Sequence, residues 1–144
     1  MQVQQILKSK GNASVYTVKP GTPVSEAAQL LAEKRIGTVV ISETGKTADG
    51  ILSERDIVRE LAAKGAACLS ASVDDYMTRD LVTCTRAEMS ETVLAKMTEG
   101  RFRHMPVVED GELVGLITLG DVVKARLSQL AMEKDALEGM IMGH

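Results

Sequence analysis

A short motif occurs twice in this chain, as GILSERD at residues 50–56 and as GLITLGD at residues 115–121, and it indicates the fold. Each copy begins at a glycine, continues through apolar residues over the length of a short β-strand, and ends at a hydroxyl residue, Ser53 or Thr118. An aspartate follows three positions later, Asp56 in the first copy and Asp121 in the second. Self-similarity of this kind predicts a chain built from two copies of one supersecondary unit.

The repeat extends upstream of this stretch. VYTVKPGTPVSEAAQLLAEKRIGTVVI, from residue 15, aligns with LVTCTRAEMSETVLAKMTEGRFRHMPV, from residue 81. The loop between this block and the final stretch is one residue shorter in the second copy. We therefore expect one globular module over residues 1–144, with repeat 1 at 15–63, a linker around 64–78, repeat 2 at 81–127 and a C-terminal helical extension at 128–144.

Each repeat is expected to open with a strand and a helix. The β-rich pieces lie at residues 15–18 and 81–84. In repeat 1, Thr22 is the predicted N-cap of the helix and Pro23 its first residue, since proline is favoured at that position. A further short helix over residues 1–10 would turn Val3, Ile6 and Leu7 to one apolar side.

The second half of each repeat predicts two strands and a helix. In repeat 2, Asp110-Gly111 lies between two apolar runs and predicts a tight hairpin, whereas repeat 1 has the longer loop SETGKTAD there. A helix is expected after Asp56 and after Asp121. The predicted fold class is therefore α/β (α+β), with two β-α-β-β-α repeats packed about a pseudo-twofold axis and a cleft between them.

Composition narrows the function classes. The chain has 44% apolar residues, 26% charged residues and a net charge of −3, values typical of a folded globular protein. Lysine and arginine are not clustered and aromatic residues make up only 2%, so no nucleic-acid partner is expected. No apolar run is long enough to span a membrane. Neither a secretory leader nor cysteines at metal-ligand spacing are found, which predicts a cytoplasmic protein without a metal.

The repeated hydroxyl and aspartate have two interpretations. In a capping box, Ser53 or Thr118 caps the following helix and the acid bonds back to it. In a ligand site, the hydroxyl and the helix N–H groups contact a phosphate, while Asp56 or Asp121 accepts from both hydroxyls of a ribose. The glycine that opens each stretch would leave room for a base. We favour ligand binding, because capping alone does not explain the repeated glycine.

A second candidate group is Arg103-His104-Met105-Pro106, at the start of an apolar strand. Arg103 and His104 could reach a phosphate, and the alternative is a solvated arginine beside a structural histidine. Pro106 predicts an edge position, where backbone groups could meet an adenine ring. Repeat 1 lacks the basic pair, so the two half-sites are not expected to be equivalent, although Arg55 could contact phosphate from repeat 1.

With the segment RHMPVVEDGELVG at residues 103–115, the two stretches make the chain resemble a tandem pair of cystathionine-β-synthase (CBS) domains, a Bateman module. The resemblance covers nearly the whole chain. It implies disc-like homodimers that bind AMP, ADP, ATP, NAD or S-adenosylmethionine between the repeats. It also implies roles for individual residues: ribose binding by Asp56 and Asp121, contacts on the phosphate side by Ser53 and Thr118, and adenine contacts by Thr17, Thr83, Thr38 to Val40, and His104 to Pro106.

These patterns together predict an adenine-nucleotide sensor, with AMP as the first choice of ligand and ATP or NAD(H) as others. It would act in trans on an unknown regulated protein. The segment 121–142 is predicted to be one long helix, whose second half could pair with a partner chain. An enzyme would have to work through His104 with Asp56 or Asp121, because no motif places a nucleophile beside a base. The remaining alternative is a ligand-free dimerisation module.

Overall fold

The computed structural model describes residues 1–10 and 15–142. Its elements follow in the order α1 (Val3–Ser9), β1 (Thr17–Val18), α2 (Val24–Lys34), β2 (Thr38–Ile41), β3 (Gly50–Ser53), α3 (Glu54–Lys64), two 3-10 helices (Gly65–Ser70 and Val73–Asp75), α4 (Ser90–Gly100), β4 (His104–Glu109), β5 (Glu112–Thr118) and α5 (Leu119–Ile141). The mixed α/β class is confirmed, and within it the order β-α-β-β-α is complete in repeat 1.

The described residues fall into two compact units. One unit holds residues 15–82 together with the tip of the β4–β5 hairpin, residues 108–115. The other holds residues 1–10, 83–107 and 116–142. The N-terminal helix therefore packs with repeat 2, and the linker packs with repeat 1.

Repeat 1 is built on a three-stranded sheet in the order β1-β2-β3. Strand β1 runs parallel to β2, with Thr17 opposite Val40, and β2 runs antiparallel to β3, with Val39 opposite Leu52. All four residues of β2 are buried, which explains its unbroken β-branched sequence TVVI. The core of this repeat is formed by Val24, Ala27, Leu31, Val39, Ile41, Leu52, Ile57 and Val73.

Repeat 2 contains the predicted hairpin. Strands β4 and β5 are hydrogen-bonded neighbours, and Asp110 and Gly111 both have positive φ angles, 51° and 80°. Two positive φ angles in a two-residue loop are those of a type I′ turn, so the Asp-Gly prediction is confirmed. Met105, Val107 and Ile117 of these strands are fully buried.

The β-rich piece at 81–84 does not form a strand, which corrects the prediction for repeat 2. In repeat 1, the N–H of Val40 donates to the carbonyl of Tyr16 and helps to hold β1. Pro106 stands at the position of Val40 and has no N–H to donate. Among the described residues, the backbone bond that links the 81–84 segment to β4 runs from the N–H of Cys84 to the carbonyl of Pro106, at 3.0 Å. The missing donor therefore reduces the strand to one bridge, between Cys84 and Val107.

Three predicted helix starts are also corrected. The N-cap of α2 is Pro23, and the hydroxyl of Thr22 instead donates to the carbonyl of Lys19 within a turn. Helices α3 and α5 begin two residues before Asp56 and Asp121, not after them. Each aspartate therefore lies in the first helical turn, close to the free N–H groups of the helix.

The first helix of each repeat ends in the same unusual way. Arg35 and Arg101 both have left-handed backbone conformations, with φ of 54° and 57°. The next residue in each case donates back into the helix, Ile36 to Leu31 at 3.1 Å and Phe102 to Met97 at 3.2 Å. This left-handed ending satisfies a terminal carbonyl, and its recurrence at aligned positions supports the duplication.

Helix α1 is anchored to repeat 2. Val3 and Ile6 are buried, as the sequence predicts. The N–H groups of Val3 and Gln4 donate to the carbonyls of Glu88 and Arg86, both at 2.9 Å. These contacts hold the N-terminal end of α1 at a defined place in this unit. None of the described helices is long and apolar enough to cross a membrane.

Candidate functional site

The GILSERD stretch forms a complete capping box in repeat 1. The Oγ of Ser53 accepts from the N–H of Asp56, and Oδ2 of Asp56 accepts from the N–H and the hydroxyl of Ser53, both at 2.9 Å. The other carboxylate oxygen, Oδ1, accepts from Arg59 at 2.5 Å. Arg59 lies one turn later on the same helix and its side chain is 66% exposed. Both oxygens of Asp56 are thus engaged by local partners.

The GLITLGD stretch forms the same box in repeat 2, with a different cation. The N–H of Asp121 donates to Oγ1 of Thr118, and the N–H of Thr118 donates to Oδ2 of Asp121. Lys10 Nζ also donates to this Oδ2, at 2.8 Å, and to the carbonyl of Leu116, at 2.9 Å. Among the described residues, no hydrogen bond reaches Oδ1 of Asp121. With respect to the described part of the chain, one carboxylate oxygen therefore keeps its acceptor capacity.

Lys10 and Thr118 stabilise the negative charge of Asp121. Burial by itself raises the pKa of the carboxyl group, but the hydrogen bonds from Lys10 and Thr118 and the positive charge of Lys10 outweigh burial. The pKa of Asp121 consequently lies below its ordinary value of 3.8. The side chain is an anion at neutral pH and presents acceptors to any hydroxyl donor.

The N-terminal N–H groups of α3 and α5 are largely used inside the chain. In α3 the first N–H, on Glu54, donates to the carbonyl of Gly37 at 2.9 Å. In α5 the first N–H, on Leu119, donates to the carbonyl of Arg103 at 2.8 Å. The third, on the aspartate, donates to the capping hydroxyl. The second N–H, on Arg55 in α3 and on Gly120 in α5, has no hydrogen bond of either kind in the part of the chain that the structure describes. Among the described residues, one of the first three N–H groups of each helix therefore remains to donate to a phosphate, and phosphate binding at these helix starts stays a prediction.

The space beside Gly50 is occupied by protein. A Cβ atom at this position would lie 2.5 Å from Sδ of Met77 and 2.9 Å from its Cγ. The glycine allows the Met77 side chain to pack against β3, and the linker residue Thr78 pairs with Ile51 beside it. The space that the sequence analysis assigned to a base beside this glycine therefore holds a side chain of the linker, and binding of a base at Gly50 stays a prediction.

The other candidate residues differ in exposure. Arg55, Thr83 and Arg103 are exposed, and Thr17 and His104 are half-buried. Met105, Pro106 and Thr38 are buried, and the hydroxyl of Thr38 lies 3.4 Å from the carbonyl of Leu52. Within each repeat, the structure brings the predicted hydroxyl and aspartate together, Ser53 with Asp56 and Thr118 with Asp121. Thr38 lies beside the end of β3, and the carbonyl of Arg103 accepts a hydrogen bond from the start of α5.

Lys10 is the residue of this site that the sequence reasoning missed. It lies 111 positions before Asp121, and no pattern in the sequence connects the two. The only available signal was the short helix ending at this lysine, which the sequence analysis placed without a function. Among residues 1–10 and 15–142, no group of three or more histidine, cysteine, aspartate or glutamate side chains could hold a metal ion.

Comparison with known proteins gives one family. The family model described as CBS domain matches the chain twice, over residues 7–63 and 73–128. A mitochondrial CBS domain-containing protein of Arabidopsis thaliana is 29% identical over 149 residues, covering 98% of this chain and 72% of that protein. A second CBS domain-containing protein of Arabidopsis thaliana is 29% identical over 136 residues, covering 94% of this chain. This chain spans only 25% of the length of that second relative.

Solved structures share the fold. A CBS-domain containing protein from Agrobacterium tumefaciens is 43% identical, with a TM-score of 0.82, and the match covers 88% of this chain and 99% of that one. A CBS domain pair solved with 5′-methylthioadenosine and S-adenosyl-L-methionine is 26% identical, with a TM-score of 0.77 and coverage of 90% and 98%. A CBS domain protein from Pyrobaculum aerophilum, complexed with AMP, has a TM-score of 0.77 at 24% identity, with coverage of 92% and 99%, and shows likeness of fold.

Proposed function

This chain belongs to the CBS domain family, and from that premise we propose that it is a regulatory module that binds an adenine nucleotide and acts on a separate protein. The observation that carries the proposal is the half-buried Asp121, charged at neutral pH and with one carboxylate oxygen open in the described part of the chain. A carboxylate of this kind can accept hydrogen bonds from both hydroxyls of a ribose. Helix capping alone would not require an open carboxylate oxygen.

The ligand class is inferred from the chemistry that the related structures share. 5′-Methylthioadenosine and S-adenosyl-L-methionine, held by the domain pair at 26% identity, are both adenosine derivatives. AMP, held by the structure that is similar in fold, is a third. A site that binds the ribose of adenosine would accept AMP, ATP or NAD(H), and we propose AMP as the first choice. Regulation rather than catalysis and a cytoplasmic location are parts of the same proposal.

The test is calorimetric titration of the full chain with AMP, ATP, NADH and S-adenosylmethionine, for the wild type and for Asp121→Ala. We expect one of these ligands to bind the wild type and to lose at least about tenfold in affinity in the variant, because a charged hydrogen bond contributes about 1.5–3 kcal/mol. The matched control is Ser72→Ala, which removes another helix-capping bond, from the N–H of Asp74.

Each outcome has a definite reading. Equal affinity of the wild type and Ser72→Ala, with loss in Asp121→Ala, supports the proposed site. Unchanged affinity in Asp121→Ala shows that the ligand binds elsewhere. No binding of any of the four to the wild type refutes the proposed function and favours the ligand-free dimerisation module.

We further propose that the partner of the C-terminal helix is a second copy of the chain. Apolar residues at alternating four- and three-residue spacing form an exposed stripe on α5: Val123, Leu127, Leu130, Leu137 and Ile141, each at least 41% exposed. Lys134 fills the remaining position of this stripe. A parallel, in-register pair would place Lys134 against its own copy, which like charges disfavour, whereas an antiparallel pair centred near residue 132 places it against Leu130.

Analytical ultracentrifugation tests the pairing. Leu137→Glu puts a charge into the stripe and is expected to shift the protein to monomer. Met132→Glu is the control, because Met132 is 67% exposed but lies off the stripe, and it should leave the dimer intact. A wild-type protein that is monomeric at all concentrations, or a Leu137→Glu variant that dimerises as the wild type does, would contradict the proposal.

A further inference from the structure

The two repeats neutralise their aspartates by different means. Asp56 is paired with Arg59, an exposed side chain on its own helix. Asp121 is paired with Lys10, whose side chain is only 24% exposed and which comes from outside the repeat. The segment before repeat 2 supplies no such cation to β3, since it places the Met77 thioether against Gly50. Among the residues that the structure describes, a partly buried lysine contacts the candidate ligand site in repeat 2 and not in repeat 1.

Lys10 is held in place by the backbone. Its N–H donates to the carbonyl of Ile6 at the end of α1, and α1 is anchored through the buried Val3 and Ile6. The carbonyl of Met1 also accepts from the N–H of Ser90, at 2.8 Å. The ammonium group uses two of its three donors, on Asp121 and on the carbonyl of Leu116. Within residues 1–10 and 15–142, the third N–H of the ammonium group has no hydrogen-bond acceptor, and the positive charge of Lys10 offsets the negative charge of Asp121.

We propose that Lys10 determines the charge of the ligand that repeat 2 accepts, selecting adenosine 5′-phosphates over adenosine derivatives that carry no phosphate or a sulfonium cation. The inference rests on the proposed function. Asp121 alone would attract cations and repel a phosphate. The Lys10–Asp121 pair is neutral overall, so the carboxylate can accept from the ribose hydroxyls without repelling the phosphate. The third N–H of Lys10, which has no acceptor among the described residues, can donate to an anion.

The experiment compares AMP, adenosine and S-adenosylmethionine as titrants on the full chain. The quantity measured is the ratio of the dissociation constant of adenosine to that of AMP. Lys10→Met keeps the length of the side chain and removes the charge. We expect it to lower this ratio about tenfold, and to improve binding of S-adenosylmethionine relative to AMP by a similar factor, as expected for removal of one nearby charge in a partly solvated site. Lys10→Arg should restore the ratio.

Lys8→Met is the matched control, because Lys8 lies exposed on the same helix and its loss changes the net charge equally. Its ratio should equal that of the wild type. The inference is overturned if the ratio is unchanged in Lys10→Met, or if Lys8→Met lowers it equally. It is also overturned if Lys10→Met binds all three ligands more tightly by the same factor, because Lys10 would then merely compete with the ligands for Asp121. If the wild type binds none of the three, the proposed function itself fails. Because each ratio compares ligands on one protein, partial unfolding of a variant does not imitate the expected result.

Discussion

Replacing Lys10 by methionine should lower the stability of the protein in a way that depends on pH. The change removes the ammonium group that donates to Asp121 and to the carbonyl of Leu116. Lys10 and Asp121 pair at 2.8 Å, with about a quarter of each side chain exposed, 24% and 23%. An exposed ion pair contributes about 0–1 kcal/mol, and breaking a buried pair costs about 3–5 kcal/mol. For this intermediate case we expect a loss of about 1–2 kcal/mol at neutral pH.

The sign of the pH dependence follows from Asp121. Its pKa is lower in the folded chain than the ordinary value of 3.8, so the pair contributes fully above that value. As the pH falls through the lower, folded-state pKa, the carboxylate takes up a proton and the contribution disappears. The difference in stability between the wild type and Lys10→Met should therefore be largest at neutral pH and smaller in strong acid, where only the hydrogen bond from Lys10 to the carbonyl of Leu116 still separates the two proteins.

Urea unfolding followed by circular dichroism at several pH values measures this difference. Lys8→Met serves again as the control for the loss of one charge. Equal unfolding free energies for Lys8→Met and Lys10→Met at neutral pH would refute the reasoning. A difference that persists unchanged in acid would refute it as well, because the loss would then come from packing and not from the carboxylate.

Three further predictions concern stability and use the same assay. The Oγ of Ser90 is fully buried and has no hydrogen-bond partner among the described residues; Ser90→Ala should therefore stabilise the protein by about 1 kcal/mol, and a net loss would show that the hydroxyl is bonded. Arg35→Gly and Arg101→Gly should each raise stability by about 0.5 kcal/mol, because glycine adopts the left-handed backbone found there without strain, and destabilisation by both would contradict the assignment. Gly50→Ala should cost about 1–3 kcal/mol through its clash with Met77, and in a Met77→Ala background most of that cost should vanish; strictly additive losses would mean that the two do not touch.

Much of the fold could be predicted because its signals are local. The Asp110-Gly111 turn requires two positive φ angles, and this dipeptide tolerates them wherever it stands. The two capping boxes depend on residues three positions apart, and any helix starting there brings the hydroxyl and the carboxylate together. Both interpretations of that pattern were available from the sequence. The capping half is now confirmed in both repeats, while ribose binding stays a prediction.

The absence of a strand at 81–84 could have been predicted from the sequence. Aligning the repeats places Pro106 on Val40, and the consequence follows from one missing N–H. Pro106 predicts an edge position, and it also removes the N–H that a neighbouring strand would need as a donor. Strand pairing involves residues far apart in the chain, so the effect appears at Leu81 to Cys84 and not at the proline itself.

The duplication, the class of fold and the position of each hydroxyl and aspartate follow from the amino-acid sequence, because they depend on patterns within a few residues and on the recurrence of these patterns. The surroundings of each aspartate depend instead on the packing of distant segments. Packing of α1 on repeat 2 places Lys10 on Asp121, and packing of the linker on repeat 1 places Met77 on Gly50. Neither neighbour has a sequence signature, because a contact between distant residues is selected by the shape and burial of whole elements and not by any spacing along the chain.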